Sequence, residues 1–96
     1  GLCMNKAGTL IYAANRGADT FSVFAVEEKG LRKIAETPCY GKFPRSLALV
    51  ENGTQLAAAN QNSNSVIFVQ LDENGIPGEP TRVIPFLRPM YICQTD

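Results

Sequence analysis

The amino-acid sequence repeats itself with a constant offset. The segment YAANRGAD at 12–19 returns in altered form as AAANQNSN at 57–64, which is a shift of 45 residues. Chance similarity does not keep one offset through several glycines, an asparagine and a proline, so the chain contains two copies of one structural unit. The positions that coincide under this shift are Gly8-Thr9 with Gly53-Thr54, Asn15 with Asn60, Gly30 with Gly75 and Pro44 with Pro89.

Each copy contains four short β-prone segments separated by turns rich in Gly, Asn and Asp. Such segments are typical of an antiparallel meander, and no part of the chain shows sustained helical periodicity. The sequence therefore predicts an all-β protein. The predicted strands cover about residues 1–4, 9–15, 20–26 and 31–37 in the first copy, and about 46–50, 55–60, 65–71 and 79–84 in the second.

Four antiparallel strands in about 45 residues is the size of one blade of a β-propeller. We predict one four-stranded blade over 1–40, a second over 44–85, and a closing strand over 90–96 that begins a further blade. A two-sheet sandwich is the structural alternative, but a sandwich need not repeat at a fixed spacing. Since propellers need about four to eight blades, we expect the chain to be a fragment that covers its open faces by self-association.

The composition excludes several classes of function. The 96 residues include nine basic and nine acidic side chains, so the bulk charge indicates neither nucleic-acid nor membrane binding. We find no apolar run long enough to cross a bilayer and no signal peptide. The chain has no histidine, which excludes imidazole zinc sites and Ser-His or Cys-His catalytic pairs within it. We predict no metal and no cofactor.

The three cysteines are Cys3, Cys39 and Cys93. An odd number of widely spaced cysteines argues against a disulfide scaffold or a zinc ribbon. Under the repeat, Cys3, Ala48 and Cys93 share one structural position, which we expect to be small and buried. We interpret the cysteines as reduced thiols of a cytoplasmic protein.

The neutral net charge conceals a polarised arrangement. Successive loops of an up-and-down blade alternate between its two ends, so the loops at 15–19, 38–45, 60–64 and 85–89 share one end. Arginine presents a planar fork to carboxylate or phosphate, which predicts a small anionic ligand at this end. A simpler explanation, that surface loops merely carry charge, is strongest for Lys42 and Arg88. The charges collected at this end are Arg16, Lys42, Arg45 and Arg88, with Asp19.

A series of short motifs follows one order along the chain: ANRG at 14–17, VFAV at 23–26, GKFPR at 41–45, ANQ at 59–61 and the NG turn at 74–75. In this order they resemble the lactonase seven-bladed propeller family, which includes bacterial propeller-type 6-phosphogluconolactonases and fungal carboxymuconate-lactonizing enzymes. The likeness covers nearly the whole chain and corresponds to about the last two of seven blades. It implies a small lactone or carboxylate as substrate.

The resemblance also implies roles for single residues. Arg16 corresponds to the arginine of the family's Asn-Arg-Gly motif, and we expect it to be catalytic by stabilising negative charge on the lactone oxyanion or ring carboxyl. Arg45 corresponds to the arginine of the Pro-Arg motif and would anchor the substrate's phosphate or carboxylate. Asn15, Asn60 and Gln61 would supply neutral hydrogen bonds to the substrate.

The family usually places a histidine after each arginine motif, and this chain has Ala18 and Ser46 there. Three functions therefore stay open: a 6-phosphogluconolactonase-like hydrolase, a 3-carboxy-cis,cis-muconate cyclase-like enzyme, and a non-enzymatic propeller that binds a ligand or a protein. We expect the isolated fragment to be inactive, because the substrate mouth needs the whole ring.

Overall fold

The computed structural model describes residues 1–85, which form eight β-strands and one short 3-10 turn at Gln61–Ser63. The predicted closing strand at 90–96, together with Arg88 and Cys93, lies outside the described residues. Within them, no helix is long and apolar enough to span a bilayer. The strands are β1 Leu2–Met4, β2 Leu10–Asn15, β3 Thr20–Glu27, β4 Gly30–Pro38, β5 Pro44–Val50, β6 Gln55–Asn60, β7 Ser65–Leu71 and β8 Pro77–Pro85.

The strands form two four-stranded antiparallel sheets in simple meander order, β1-β2-β3-β4 and β5-β6-β7-β8. The register repeats along with the sequence: Asn15 pairs with Thr20 in the first sheet, and Asn60 pairs with Ser65 in the second. The predicted all-β fold of two four-stranded blades is therefore confirmed. Cys3 and Ala48 share one structural position as predicted, since they pair with Tyr12 and Ala57, which the same offset relates. Both residues are half-buried, so the expectation of a fully buried position was wrong.

Two strands begin earlier in the structure than the turn residues suggested. β5 begins at Pro44 and β8 at Pro77, whereas the sequence placed these starts near 46 and 79. Proline lacks the N–H that a ladder needs, so it is tolerated at the first residue of a strand or at a sheet edge. Both prolines occupy such positions. Pro44 lies opposite Asn60, and Pro77 lies opposite Leu71.

The core lies between the two sheets. Side chains at alternate positions of a strand point to the same face, and the buried apolar residues of β3 and β7 follow that alternation. The central alanines of the second sheet, Ala57–Ala59, are almost fully buried. The outer strands β4 and β8 are largely exposed. The buried cluster comprises Tyr12, Phe21, Val23, Cys39, Leu47, Leu56, Ala58, Ile67, Val69 and Leu71.

One hydrogen bond joins the two sheets at the end opposite the predicted ligand site. Tyr12 of β2 donates its hydroxyl to the backbone carbonyl of Gly75, at 2.6 Å, in the turn before β8. Gly75 has a φ of +81°, and a Cβ there would lie 2.5 Å from Leu10 Cδ1. Asp72 holds this turn in shape by accepting the backbone N–H groups of residues 74 and 76. The turn therefore docks closely on the first sheet.

We predict that Tyr12→Phe lowers the free energy of unfolding by about 1–3 kcal/mol, because it leaves the Gly75 carbonyl without its buried partner. Tyr40→Phe is the matched control. Tyr40 also donates to a glycine carbonyl of the second sheet, Gly78, at 3.2 Å, but it is exposed, so its loss should change stability by no more than about 0.5 kcal/mol.

The hydrogen bond between Tyr12 and Gly75 also makes the stability of the protein depend on pH. The pKa of Tyr12 is raised from its ordinary value of 10.0 to about 12, mainly by burial and to a smaller extent by the neighbouring Cys3 and Asp72 side chains. The unfolded chain therefore releases this proton first, so the stabilisation is complete below pH 10 and is lost as the pH rises toward 12. The free energy of unfolding, measured in urea from pH 8 to 11.5, should decrease less steeply with pH for Tyr12→Phe than for Tyr40→Phe. Parallel curves for the two variants would contradict the assignment.

Candidate functional site

Three loops meet at one end of the two sheets, and we call this end the loop face: residues 16–19, 39–43 and 61–64. The backbone N–H of Gln61 donates to the carbonyl of Phe43 at 3.0 Å, and that of Asn62 donates to the carbonyl of Lys42 at 3.1 Å. Lys42 N–H donates in turn to Ser63 Oγ at 2.8 Å. The structure therefore brings together three of the four loops that strand alternation placed at one end. The fourth, at 85–89, lies outside the described residues except for Pro85.

Asp19 connects the first loop to the second. Its Oδ1 accepts the backbone N–H of Phe43 at 2.8 Å, and its Oδ2 lies 3.9 Å from Lys42 Nζ. Its own N–H donates to the Asn15 carbonyl at 2.8 Å, and its carbonyl accepts the N–H of Cys39 at 3.0 Å. Asp19 has a φ of +57°, a left-handed conformation that Asp tolerates better than most residues. Each hydrogen-bonding group of the residue is thus engaged within the loops.

Phe43 places the predicted catalytic arginine. The guanidinium carbon of Arg16 lies 5.3 Å from the centroid of the Phe43 ring, a cation–π arrangement. Phe43 has a φ of +60°, which costs a bulky L-residue about 1–2 kcal/mol. Its N–H is held by Asp19 and its carbonyl by Gln61, so hydrogen bonds on both sides maintain the unusual backbone. The position of Arg16 therefore depends on the conformation of the second loop.

A β-bulge positions Arg45. Pro44 lies opposite Asn60 and Ser46 lies opposite Ala59, so Arg45 is the extra residue in β5. A bulge of this kind bends the strand and turns the extra side chain away from the regular alternation. The exposed Arg45 side chain reaches the third loop, where its Nη1 lies 3.4 Å from an oxygen acceptor, Gln61 Oε1. Arg45 and Gln61, both predicted substrate ligands, are thus neighbours.

The two predicted asparagines hold strand ends in place. Asn15 donates its side-chain amide to Thr20 Oγ1 at 2.9 Å and to Ser22 Oγ at 2.7 Å. Asn60 is fully buried, and its Nδ2 donates to the carbonyl of Cys39 at 3.1 Å. Asn60 Oδ1 has no hydrogen-bond partner among residues 1–85. A substrate contact for either asparagine stays a prediction, and the contacts shown here are structural.

Cys3 of β1 and Cys39 of the loop face are both unreactive because of their surroundings. Cys39 is buried, and its thiol donates to the carbonyl of Gly41 at 3.2 Å. Burial raises the pKa of this thiol, and burial also raises that of Cys3, to about 11. Both therefore carry a neutral thiol at pH 7, and neither pairs in a disulfide. Nucleophilic thiol chemistry is not supported at either position.

From the sequence, Asp19 was predicted only as an opposite charge among the basic residues of this end, and Phe43 was given no role. Asp is a residue that tolerates left-handed turns, so its position at the end of the first loop was a usable signal. No pattern signals a phenylalanine at positive φ, because the conformation is imposed by contacts from two other loops. Within residues 1–85, no group of three or more Asp, Glu or Cys side chains is placed to hold a metal ion. The expectation that the site uses no metal stays a prediction.

A cleft of about 550 Å³ opens at the opposite end of the sheets, beside the turns before β2 and β6. Lys6 is the charged residue in its lining, and Asn5 uses its side-chain oxygen to accept the N–H groups of Thr9 and Leu10. This cleft therefore offers little free polar chemistry. The loop face, with two arginines held by neighbouring loops, is the better candidate for an anionic ligand.

Two meander sheets that stack through one core and gather their loops at one end define this chain as part of a β-propeller. It matches the family described as "Lactonase, 7-bladed beta-propeller" over residues 2–92, and the chain belongs to that family. A 6-phosphogluconolactonase from Formosa agariphila is 35% identical over 69 residues, which are 68% of this chain and 20% of that protein.

Solved structures extend the comparison. The periplasmic gluconolactonase of Pseudomonas aeruginosa superposes with a TM-score of 0.87 at 28% identity, covering 93% of this chain and 26% of that one. A protein from Lactobacillus plantarum superposes with a TM-score of 0.86 at 24% identity, covering 95% of this chain and 27% of that one, and supports the fold alone. The chain thus spans about a fifth to a quarter of the length of these relatives.

Close packing beneath the loop face gives a direct test of its geometry. A Cβ on Gly41 would lie 2.5 Å from Asn60 Nδ2 and 2.7 Å from Ser63 Oγ, whereas a Cβ on Gly17 would meet nothing within 4 Å. We predict that Gly41→Ala lowers the free energy of unfolding by about 1–3 kcal/mol, as overpacking does. Gly17→Ala should stay within about 0.5 kcal/mol of the wild type. Equal stabilities for the two variants in urea unfolding would show that the second and third loops are not packed as described.

Proposed function

We propose that the complete propeller carrying these two blades hydrolyses a sugar lactone, with 6-phosphogluconolactone as its substrate. The observation that carries the proposal is the loop face, where the 39–43 loop supports Arg16 through Phe43 and leads directly into the bulge at Arg45. Membership of the lactonase family supports a small lactone as the substrate class. The names of the Formosa and Pseudomonas relatives support a gluconolactone, phosphorylated in the first case.

The chemistry assigns a different task to each arginine. Hydrolysis adds water to the lactone carbonyl, places negative charge on its oxygen, and then breaks the ring C–O bond. A positioned cation at the carbonyl oxygen lowers the barrier because the charge develops there in the transition state. Arg16 serves this role, and Arg45 holds the phosphate or carboxylate of the substrate by charge-assisted hydrogen bonds. Gln61 supports Arg45, and the base that activates water comes from other blades.

Two other functions stay open: a propeller that binds an anionic ligand without turnover, and a muconate-type cyclase in which the arginines hold carboxylates. The observation that favours both over a lactonase is the presence of Ala18 and Ser46 at positions where the family usually has histidines. Neither residue can shuttle a proton as an imidazole does. In a cyclase the same two arginines would bind substrate, while an acid elsewhere in the ring protonates carbon.

Two further expectations belong to this proposal. Leu2 and Met4 on β1 are 72% and 57% exposed, and Val83 on β8 is 55% exposed, which supports self-association of the two blades when they are isolated. The free thiols Cys3 and Cys39 support a cytoplasmic location, whereas the Pseudomonas relative is named as periplasmic.

The test follows 6-phosphogluconolactone opening above its spontaneous rate in the complete propeller. Arg16→Ala should lower kcat by about 10²–10³-fold, as removal of an oxyanion donor does. Arg45→Ala should act mainly on KM, raising it about 10–100-fold through the loss of a charged hydrogen bond.

Arg82→Ala is the matched control. Arg82 also stacks on a phenylalanine, with its guanidinium carbon 4.6 Å from the Phe68 centroid, but it lies on the outer strand β8. Its loss should leave kcat and KM unchanged. A folded wild type without lactonase activity would refute the proposal, and equal losses for all three variants would refute the roles given to Arg16 and Arg45.

A further inference from the structure

We propose that Asp19 is a positioning residue of the lactonase site: by accepting the N–H of Phe43, its carboxylate holds the 39–43 loop in the one conformation that aims both arginines. This inference rests on the proposed function and assigns a role to a residue that does not itself touch substrate. It is built on the hydrogen bonds of Asp19, the backbone of Phe43 and the bulge at Arg45.

The backbone of Phe43 needs a restraint to keep its conformation. Its φ of +60° is unfavourable for a bulky side chain, and residues before a proline prefer extended backbone. Without restraint, the loop would relax toward a negative φ at this residue. The 2.8 Å hydrogen bond from Phe43 N–H to Asp19 Oδ1 is the restraint that comes from the first blade.

Asp19 is itself fixed strongly enough to provide this restraint. Its backbone N–H and carbonyl are bonded to Asn15 and Cys39, and its side chain is only 27% exposed. The ion pair with Lys42 contributes less, because the charged atoms are 3.9 Å apart and the Lys42 side chain is 74% exposed. The hydrogen bond to Phe43, rather than the charge pair, is therefore the main contact of the carboxylate.

Phe43 is connected to both arginines. Its ring carries the Arg16 guanidinium, so a change in the Phe43 backbone moves the surface on which Arg16 rests. Pro44 follows Phe43 and is fully buried. Because its ring fixes φ, the backbone direction at Phe43 determines the backbone direction at the bulge residue Arg45. One hydrogen bond therefore controls two side chains that lie on opposite sides of Pro44 in the sequence.

Electrostatics also favours positioning over ligand binding. The Asp19 carboxylate lies on the loop face, 3.9 Å from Lys42 Nζ, where it repels an anionic substrate and so weakens its binding. The Asp19 carboxylate is therefore better explained by its hydrogen bond to the Phe43 N–H than by a contact with substrate. Replacing the charge while keeping the hydrogen-bond acceptor should therefore preserve catalysis and leave KM equal or lower.

The decisive comparison is between Asp19→Asn and Asp19→Ala in the complete propeller. Asn keeps an oxygen that can accept the Phe43 N–H, so kcat/KM should stay within about threefold of the wild type. Ala removes the acceptor, and kcat/KM should fall about 10–100-fold, since a displacement of about 1 Å can cost that much. A 100-fold loss in Asp19→Asn, or no loss in Asp19→Ala, would overturn the inference.

Asp72→Ala separates positioning from general destabilisation. Asp72 also accepts two backbone N–H groups in a turn, but this turn lies at the opposite end of the sheets. Asp72→Ala should lower Tm while leaving kcat/KM unchanged, whereas Asp19→Ala should lower both. If both variants reduce kcat/KM in proportion to their loss of Tm, Asp19 has a structural role only.

A mutant cycle between Asp19 and the two arginines, with Arg16→Ala and Arg45→Ala combined as one background, gives the second readout. If Asp19 acts through the arginines, Asp19→Ala should cost less than about threefold in a protein that already carries Arg16→Ala and Arg45→Ala, because coupled residues are not additive. An unreduced 10–100-fold loss in that background would show that Asp19 acts by another route.

The last readout does not depend on turnover. In arginine-labelled protein, the side-chain NMR signals of Arg16 should carry an upfield ring-current shift, because the guanidinium lies over the Phe43 ring. This shift should persist in Asp19→Asn and disappear in Asp19→Ala and Phe43→Leu. If the wild type shows no lactonase activity, the proposed function fails while this measurement still decides the inference. A shift that survives in Asp19→Ala would overturn it.

Discussion

The structure depends on the apolar face that each four-stranded sheet can bury only against its neighbour. Phe21 and Val23 of the first sheet belong to the same buried cluster as Ile67 and Val69 of the second. A repeat unit of this size has no core of its own, so its stability comes from the contact between units. The sequence repeats with a constant 45-residue offset because each unit has to present the same surfaces to the next.

Both ends of this intersheet contact are closed by hydrogen bonds, and the two ends differ in chemistry. At one end, the Tyr12 hydroxyl reaches the Gly75 carbonyl in a close contact that leaves no room for a Cβ. At the other end, Asp19 and Asn60 bind the backbone of the 39–43 loop that connects the sheets. The connection between blades therefore serves two purposes: it joins the sheets and it places the arginines.

The sequence was sufficient for the fold and for the location of the charges. Strand alternation depends only on local periodicity and on turn residues, so it predicted that Arg16 and Arg45 lie at the same end. The sequence could not predict the left-handed backbone of Phe43, because three loops from different parts of the chain impose it. It also missed the burial of Asn60, which depends on the close approach of Gly41. Local patterns carry no information on contacts of this kind.

The central claim is that the loop face is where the anionic substrate binds. The most direct measurement is a crystal structure of the complete propeller with 6-phosphogluconate, the product of the proposed reaction. The account predicts the product at the loop face, with the guanidinium groups of Arg16 and Arg45 within hydrogen-bond distance of its oxygens. Product bound at the opposite end, beside Asn5 and Lys6, with both arginines free of contact, would contradict it.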